Sequence, residues 1–544
     1  MKQKEALEIL KMGHNVYLTG AAGSGKTHLL NTYINFLKER DVNVAITAST
    51  GIAATHISGM TIHSWAGIGI KDYLDEWELD SLLQKQYLAK RFQNTKVLII
   101  DEVSMLHNYR LDLIDKVCRG FRQNDMPFGG MQVILSGDFF QLPPINRNSD
   151  EFNFINKSEV WSNMGLKICY LDEQHRHECG TLTNILNDIR QNNAGENVLA
   201  PLRLRYKKTI KSDIIPTKLY THNADIDKIN EKQLDDIEGH SKIFEMQTKG
   251  KKSLVESLKK SCLAQEELRL KKGAVVMFLK NNPIKKYVNG TLGTVIDFSD
   301  RGLPVVKTYN GKIIEVERDS WNIEEDGKIK AELKQIPLRL AWAITIHKSQ
   351  GMSLDCAEID LSKSFVEGMG YVALSRMRRI DGLRLMGLNK IALQVNKEIL
   401  DLDKELLEAS EIVLDEINSF SKEDIEKAQK VFVSLVSPTK EEKEERLSTY
   451  EKTRLLAEQK KSLKQMAKER ELTENTVISH LEKLLEDEEN KPDLNYLKKN
   501  FSKERLEKIK KAFKKSGDTK LSPAKEILGD DFEFDEIRLG RLFL

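Results

Sequence analysis

The residues best suited to chemistry in the first part of the chain form a glycine-rich loop that ends in a lysine and a threonine. The loop spells Gly20-x-x-x-x-Gly25-Lys26-Thr27. Glycines let backbone N–H groups curl around phosphate oxygens, and a helix that begins at the loop adds partial positive charge. Lys26 is placed to reach the β- and γ-phosphates of ATP, and the Thr27 hydroxyl to ligate Mg²⁺. Nucleotide contacts are therefore predicted at Gly20, Gly23, Ser24, Gly25, Lys26 and Thr27.

A pair of acidic residues follows an apolar run in KVLIIDEVSML (96–106). One carboxylate at the tip of a buried strand can hold the metal shell, and we assign this role to Asp101. The adjacent Glu102 can polarise a water molecule for in-line attack on the γ-phosphate. The alternative, acidic residues that merely end a strand, does not explain two acids beside a phosphate loop. Nucleotide hydrolysis is therefore favoured.

A carboxamide and a proline pair follow a third apolar run in ILSGDFFQLPPI (134–145). Gln141 can both donate and accept hydrogen bonds, which suits a group that senses the γ-phosphate. The prolines stiffen the segment that leads away from it. The alternative is a capped strand end without a function in catalysis.

Short apolar runs place these groups at one edge of a sheet. Residues 16–18, 97–100 and 132–136 each have the composition of a strand buried on both faces, which is typical of parallel sheets. Residues 28–40 have helical periodicity. Because the carboxyl ends of parallel strands meet at one edge, the pattern predicts an α/β fold in which the loop, the acidic pair and the carboxamide lie close together.

Composition limits the class of protein. The chain has 544 residues, is 40% hydrophobic and 31% charged, and carries a formal net charge of +2, so several globular domains are expected and no global charge indicates a nucleic-acid partner. The cysteine count is odd and no CxxC pair occurs, which favours a reducing, intracellular compartment. No leader peptide or membrane-spanning run is apparent, so a cytoplasmic protein without membrane contact is expected.

With these residues in hand, the chain resembles the Pif-type helicases of the 5′-to-3′, RecD-like branch of helicase superfamily one. The resemblance extends over roughly residues 3–390, and LDLIDKVCRGFRQNDMPFGGMQ (111–132) is similar to the segment that separates Pif-type enzymes from other RecD-like ones. The motifs that carry it are GAAGSGKT, TASTGIAATHISGMTIHSWAGIG (47–69), DEVSM, GDFFQLPP, EQHRH (173–177), LYTHNADIDKIN (219–230), YVNGTLGTV (287–295), AWAITIHKSQGMSLD (341–355) and YVALSRMR (371–378).

The resemblance implies two RecA-like domains with ATP in the cleft between them. Gln141 would link the state of the ATP to the grip on DNA, and Arg176 and Arg376 would reach across the cleft as arginine fingers. Gln3 would read the adenine, and Gly351 would also contact the nucleotide. The family is associated with DNA repair and telomere maintenance.

The resemblance also implies a track for single-stranded and forked DNA. Small and hydroxyl residues permit close approach to phosphates, and rings can stack on bases. On the matching motifs, DNA contacts are expected at Thr50, His63, His347 and Ser349. The free protein is expected to be a monomer.

Beyond the motor motifs, SLKQMAKERELTENTVISHLEKLLED (462–487) has the pattern of a helix-turn-helix. Residues 491–520 then contain 11 Lys and Arg against 4 Asp and Glu, which favours a contact with phosphates. The extension is thus expected to bind duplex DNA or, alternatively, to dock a protein. The predicted domains are residues 1–190 (RecA-like 1A, with a small 1B insertion at about 65–92), 191–267 with 335–395 (RecA-like 2A), 268–334 (an SH3-like β insert, 2B), 396–450 (a charged helical linker) and 451–544 (an all-α, helix-turn-helix-like domain).

The expected function is ATP-dependent unwinding of duplex or structured DNA by a motor that moves along a single strand. Two alternatives stay open. One is a translocase that remodels protein–DNA complexes without separating strands, and the other is a switch whose nucleotide controls DNA affinity with little turnover.

Overall fold

The computed structural model describes residues 1–69, 71–141, 143, 153–173, 180–210, 215–220, 226–282, 285, 287–325, 328–439, 448–486, 491–517 and 520–544. The chain divides into two compact units, Met1–Ser437 and Pro438–Leu544. Within the described residues, no helix combines the length and the apolar character needed to cross a membrane.

A six-stranded parallel sheet forms the first part of the larger unit. Its strands are β1 Val16–Gly20, β2 Val44–Ala48, β3 Met60–Thr61, β4 Val97–Asp101, β5 Gln132–Ser136 and β6 Lys167–Leu171. They are arranged in the order β3-β2-β4-β5-β1-β6, and every pairing is parallel. Every residue of β1, β4 and β5 is buried, as expected for strands covered by helices on both faces. The sequence prediction of a parallel sheet is confirmed, and the ends of β1, β4 and β5 meet at one edge.

Short helices cover this sheet and connect its strands. They are α1 Gln3–Lys11, α2 Lys26–Lys38, α3 Gly51–His56, α4 Ile62–Ala66, α5 Glu76–Leu83, α6 Gln86–Asn94, α7 Asn108–Arg122 and α8 Glu159–Asn163. Helices α5 and α6 lie in the stretch predicted as the 1B insertion.

The second part of the larger unit contains a parallel sheet and three antiparallel ones. Its strands are β7 Thr217–Tyr220, β8 Lys242–Glu245, β9 Gln247–Gly250, β10 Glu267–Leu270, β11 Val275–Phe278, β12 Leu292–Phe298, β13 Pro304–Thr308, β14 Ile313–Glu315, β15 Asp319–Glu325, β16 Lys328–Gln335, β17 Leu338–Leu340, β18 Ala343–Thr345, β19 Ala357–Leu361 and β20 Leu383–Leu388. The parallel sheet has the order β18-β7-β19-β20. Its helices are α9 Thr181–Arg190, α10 Glu196–Arg203, α11 Ile226–Asp235, α12 Lys252–Ser261 and α13 Met369–Ser375.

The antiparallel sheets form the β-rich insert. Their orders are β14-β13-β12-β11-β17, β15-β16-β9 and β10-β8. Strand β9 pairs with β16, and β17 pairs with β11, so the sheets of the insert draw in residues on both sides of the predicted 268–334 segment. Short turns such as Asn289-Gly290 can be read from the sequence, but they carry no information about these long-range pairings.

Two helices occupy the segment that the sequence analysis treated as a charged linker. Helices α14 Lys397–Ser419 and α15 Lys422–Val436 pack against the first sheet and α1, with Val413, Ile417 and Phe432 buried in that core. The linker interpretation of residues 397–436 is therefore corrected. The numerous charges lie on the solvent face, and they obscured an apolar stripe that needs β6 and α1 as partners.

The smaller unit is all helical. Its helices are α16 Thr449–Glu458, α17 Leu463–Glu469, α18 Glu474–Leu485, α19 Lys503–Ser516, α20 Leu521–Leu528 and α21 Phe534–Arg541. Ser462 caps α17 and Thr473 caps α18, each by accepting a backbone N–H. Leu463, Met466, Val477 and Leu481 are buried between them, as a helix-turn-helix requires.

Candidate nucleotide cleft and DNA groove

The glycine-rich loop joins β1 to α2 in the predicted manner. Gly25 caps α2 at φ 88°, in the left-handed region that favours glycine. The Lys26 ammonium donates to Gly20 O at 2.8 Å and to Ala21 O at 3.2 Å. Burial lowers the pKa of Lys26, whereas the nearby carboxylates Asp138 and Glu102 act in the opposite direction. The lysine is thus held inside the loop with anionic side chains around it.

The acidic pair lies at the end of β4, at the same edge of the sheet. Asp101 is buried, and its Oδ1 accepts the Glu102 N–H at 3.0 Å. Glu102 adopts φ 53°, a conformation that costs a non-glycine residue of the order of 1–2 kcal/mol. The Ser49 hydroxyl holds this turn by donating to Glu102 O at 2.6 Å. Backbone strain concentrates at functional sites, and here it determines where the second carboxylate points.

The pKa of Glu102 lies within the range of a general base. Burial raises the pKa of Glu102 to about 7, the adjacent Asp101 adds to the rise, and Lys26 opposes it. Burial also raises the pKa of Asp101, against the hydrogen bond from the Glu102 N–H. A base whose pKa is near the working pH can take a proton from water and release it again.

A cleft of about 810 Å³ brings together residues from both halves of the larger unit. Lys26, Thr27, Asp101, Glu102 and Gln141 line it from the first sheet. Residues that line it from the second half include Asn289, Trp321, Gly351, Arg376 and Arg378. The two sets are far apart in sequence, so the cleft exists only through the tertiary fold.

Arg376 reaches the cleft from the carboxyl end of α13. Only 1% of its surface is exposed, and its guanidinium donates to Val372 O at 3.1 Å and to Ser375 Oγ at 2.8 Å. These bonds fix the orientation of the side chain in the wall of the cleft. The other predicted arginine, Arg176, lies outside the described residues.

Gln141 follows β5 at the floor of the cleft. It is buried, and its N–H donates to Asp138 O at 3.0 Å. Its side-chain Oε1 has no hydrogen-bond partner among the described residues. A buried carboxamide oxygen without a partner is unusual in a folded protein, and it suits a side chain that completes its hydrogen bonding with a ligand.

The oxygen donors of the cleft fit a hard divalent cation. Thr27 and Asp101 both line the cleft beside Lys26. Mg²⁺ in phosphate sites is held by one or two protein oxygens together with phosphate oxygens and water. The predicted metal ligands are therefore compatible with Mg²⁺ in number and in chemistry.

Gln3 contacts the nucleotide loop, and Gly351 lines the cleft from the second half. The Gln3 side chain donates to Ser24 O at 3.2 Å, and its backbone N–H donates to Glu173 Oε2 at 2.9 Å. Gly351 lies at φ 73°, and a Cβ there would lie 2.4 Å from His56 Cε1. His56 also makes a 3.0 Å contact with Asn289 Nδ2 across the cleft. His56 lies within the quoted stretch at residues 47–69, and the sequence analysis did not predict this contact.

A groove of about 150 Å³ lies next to the cleft. Thr50 and Ile52 line it from the first half, and Lys348 and Gln350 line it from the second. Four residues line both the groove and the cleft, namely Ala53, His56, Glu102 and Gly351. The sequence analysis missed Lys348 and Gln350, although both lie in the quoted motif AWAITIHKSQGMSLD (341–355).

The other predicted DNA contacts have different surroundings. His63 makes a 3.1 Å contact with Arg110 Nη1, and burial together with that cation lowers the pKa of His63 to about 4. Ser349 is fully buried, and its hydroxyl donates to Ile346 O at 2.7 Å. The prediction of a DNA contact through the Ser349 side chain is therefore corrected, because the short turn at His347–Ser349 uses that hydroxyl internally. For His347 the described part is the backbone alone.

Comparison with known proteins identifies the family. The family model PIF1-like helicase matches residues 2–195, and the models DNA helicase Pif1, 2B domain and Helix-turn-helix domain match residues 253–298 and 449–541. A curated protein from Psychrobacter sp. (strain PRwf-1) is named ATP-dependent DNA helicase Pif1. It is 39% identical to this chain over an alignment 665 residues long, gaps included, which covers 100% of both chains. The chain belongs to the Pif1-like helicase family.

Solved structures of Pif1 helicases agree with this assignment. Bacteroides sp Pif1 in complex with ADP-AlF4 has a TM-score of 0.65 at 33% identity, over 75% of this chain and 96% of that one. Bacteroides Pif1 bound to ssDNA has a TM-score of 0.51 at 32% identity, over 74% and 96%. The predicted fold class, a RecA-like α/β core with a 2B insert and a helical helix-turn-helix extension, is confirmed.

Proposed function

We propose that this protein is an ATP-dependent DNA helicase that moves 5′-to-3′ along single-stranded DNA and unwinds duplex or forked DNA. One observation carries the proposal. The phosphate loop and acidic pair of the first sheet share a single cleft with Arg376 from the second half, and the same wall borders the groove lined by Thr50 and Lys348. The names of the relatives, which are ATP-dependent DNA helicases, support the same activity.

In the proposed reaction the chain positions ATP and a water molecule. The loop amides and Lys26 bind the phosphates, while Gln3 and Gly351 border the nucleotide. Glu102 takes a proton from the attacking water, and Arg376 stabilises the charge that develops on the phosphoryl oxygens. Mg²⁺, held by Thr27 and Asp101, would supply further charge neutralisation. Arg176 remains a predicted second finger.

Coupling to DNA would pass through the wall that the cleft and the groove share. Ala53 and His56 belong to α3 in the first half, whereas Gly351 belongs to the second. A change in the separation of the halves on ATP binding or release must alter the groove as well. Thr50 and Lys348, on opposite sides of the groove, are the proposed backbone contacts, and His63 and His347 remain predictions.

The proposal is tested by strand displacement on duplexes that carry a 5′ or a 3′ single-stranded tail. A 5′-to-3′ helicase separates the 5′-tailed substrate with ATP. A translocase would hydrolyse ATP and strip a bound protein from single strands without separating the duplex. A nucleotide-gated switch would change DNA affinity with little turnover. Displacement of the 3′-tailed substrate alone would overturn the proposed polarity.

For the smaller unit, we propose a contact with duplex DNA through α19. Lys508, Lys511, Lys514 and Lys515 are exposed on this helix, and they have no ion pair within the described residues. On the second helix of the helix-turn-helix, α18, two polar side chains are engaged within the smaller unit. Its His480 contacts Thr453 at 3.0 Å, and its Glu482 is bound by Arg538 and Arg541. The contact is therefore expected to be electrostatic and independent of sequence, with protein docking as the alternative.

Location and assembly are inferred from the sequence. Cysteines 118, 169 and 262 are free thiols within the described residues, which is consistent with a reducing cytoplasmic compartment. We propose a monomer in the absence of DNA.

A further inference from the structure

A buried arginine outside the proposed chemistry connects the loops that line the cleft. Arg190 ends α9 and exposes 7% of its surface. Its Nη1 donates to Asp138 Oδ1 at 2.8 Å and to the Tyr371 hydroxyl at 3.1 Å. Its Nη2 donates to the Tyr170 hydroxyl at 2.7 Å. The guanidinium also lies 3.9 Å from the centre of the Phe140 ring. All of these partners belong to the larger unit.

The Tyr371 hydroxyl extends this connection to the phosphate loop. It accepts the Ala22 N–H at 3.1 Å, and it donates to Asp138 Oδ2 at 3.3 Å. A tyrosine hydroxyl has one donor and two acceptor positions, so the bonds to Arg190, Ala22 and Asp138 use its full capacity. One hydroxyl thus joins a loop amide, a carboxylate and a guanidinium.

Three members of this cluster are close in sequence to groups of the proposed catalytic apparatus. Asp138 precedes Gln141 by one turn and accepts its N–H. Tyr371 lies on α13, the helix that ends at Ser375, directly before Arg376. Ala22 belongs to the loop that holds Lys26. The γ-phosphate sensor, the arginine finger and the phosphate loop are therefore attached to one buried cluster.

The charge of Arg190 is needed by that cluster. Burial alone would raise the pKa of Asp138, but the Arg190 guanidinium and Lys26 hold it below its ordinary value. Asp138 therefore remains ionised although its carboxylate is fully enclosed. Planar guanidinium groups can serve two partners at fixed angles, which a lysine ammonium cannot reproduce.

We propose that Arg190, acting through Tyr371 and Asp138, is a positioning residue that aligns the phosphate loop, Gln141 and Arg376 for hydrolysis. The proposal rests on the proposed ATPase function. Arg190 is not among the described residues that line the cleft, so it would act through its partners. Its effect should appear in kcat and in the coupling of hydrolysis to unwinding, and much less in the binding of nucleotide.

The sharpest variant is Tyr371→Phe, which removes one hydroxyl from the cluster and leaves the ring. If the transition state loses the contribution of one hydrogen bond of ordinary strength, kcat should fall by about 10-fold. The Kd for fluorescent ADP should stay within about 2-fold of the wild-type value. Arg190→Met should lower kcat further, and Arg190→Lys should restore part of that loss. Arg203→Met is the matched control, since Arg203 is exposed and pairs only with exposed Glu196 among the described residues. This variant should have the kcat and the ADP Kd of the wild-type protein.

Stability is measured on the same samples, by thermal unfolding. If kcat falls only in proportion to the folded fraction, or if Tyr371→Phe and Arg190→Lys both retain wild-type kcat, the positioning role is refuted. The double variant Tyr371→Phe/Gln141→Ala should lose less than the product of the single losses, because both changes damage one alignment. ATPase kinetics need no strand separation, so failure of wild-type unwinding would refute the helicase proposal without deciding the role of Arg190.

Discussion

Glu102→Gln gives the most informative prediction, because one change should raise stability while it lowers turnover by orders of magnitude. The folded protein holds the pKa of Glu102 at about 7, against an ordinary value of 4.5. A raised carboxyl pKa means that this group contributes most to stability below pH 4.5 and that the contribution is lost as pH rises through 7. The full difference corresponds to about 3 kcal/mol at pH 8. Glu102 is only half-buried, so solvent screening reduces the expected gain for glutamine to about 1–2 kcal/mol.

The assay combines chemical denaturation with ATPase kinetics. Glu102→Gln should unfold at a higher denaturant concentration than the wild-type protein at pH 8, and this advantage should shrink by roughly half at pH 5.5. Its turnover should fall by about 10²–10⁴-fold, as expected for the loss of a general base, with nucleotide binding retained. The wild-type kcat/KM should rise with pH through about 7, where Glu102 loses its proton. The pH dependence of kcat/KM reports the pKa values of essential groups in the free enzyme.

The matched control is Glu416→Gln, which removes a half-exposed carboxylate that pairs with Lys167 at 2.5 Å, remote from the cleft. It should alter neither the pH profile nor turnover. Normal DNA-stimulated hydrolysis by Glu102→Gln, or a stability difference that does not depend on pH, would refute the assigned environment and role.

The remaining predictions concern binding, coupling and the extension. Lys26→Ala should abolish hydrolysis but leave single-strand binding measurable in a fluorescence anisotropy titration; equal loss of DNA binding would mean that the loop supports the groove as well. Arg376→Ala should lower kcat by about 10³–10⁵-fold, the range of arginine fingers, and a loss below about 10-fold would remove it from that role. Gln141→Ala should reduce base pairs separated per ATP more than it reduces hydrolysis, whereas equal losses would make it an ordinary active-site residue. Changing Lys508, Lys511 and Lys515 together to alanine should lower duplex affinity and reduce the log-affinity versus log-salt slope by about 0.9 per lost phosphate contact, with Glu507→Gln as the control that should not weaken binding. An unchanged slope would favour protein docking by the smaller unit.

The sequence predicts best where the chemistry is local. Lys26, Asp101 and Gln141 each follow a short apolar run, and parallel pairing of those runs brings them to one edge without knowledge of anything else. The helix-turn-helix is likewise visible as two adjacent apolar faces. In each case the signal and the structure that it predicts occupy the same few residues.

The sequence predicts poorly where a residue depends on distant partners. The bonds of Arg190 reach Asp138 and Tyr371, 52 and 181 positions away, and no spacing rule indicates them. Gly351 is close to His56 only because the two halves meet. The burial of Ser349 and the packing of α14 on the first sheet also depend on tertiary contacts, which override the local polarity of both segments.

The most direct test of the account measures ATP hydrolysed and base pairs separated in one reaction, on a fork with a 5′ single-stranded tail. The wild-type protein is predicted to do both, Lys26→Ala neither, and Gln141→Ala to separate fewer base pairs for each ATP. Hydrolysis without separation on any tailed duplex, or separation that needs no ATP, would contradict the account.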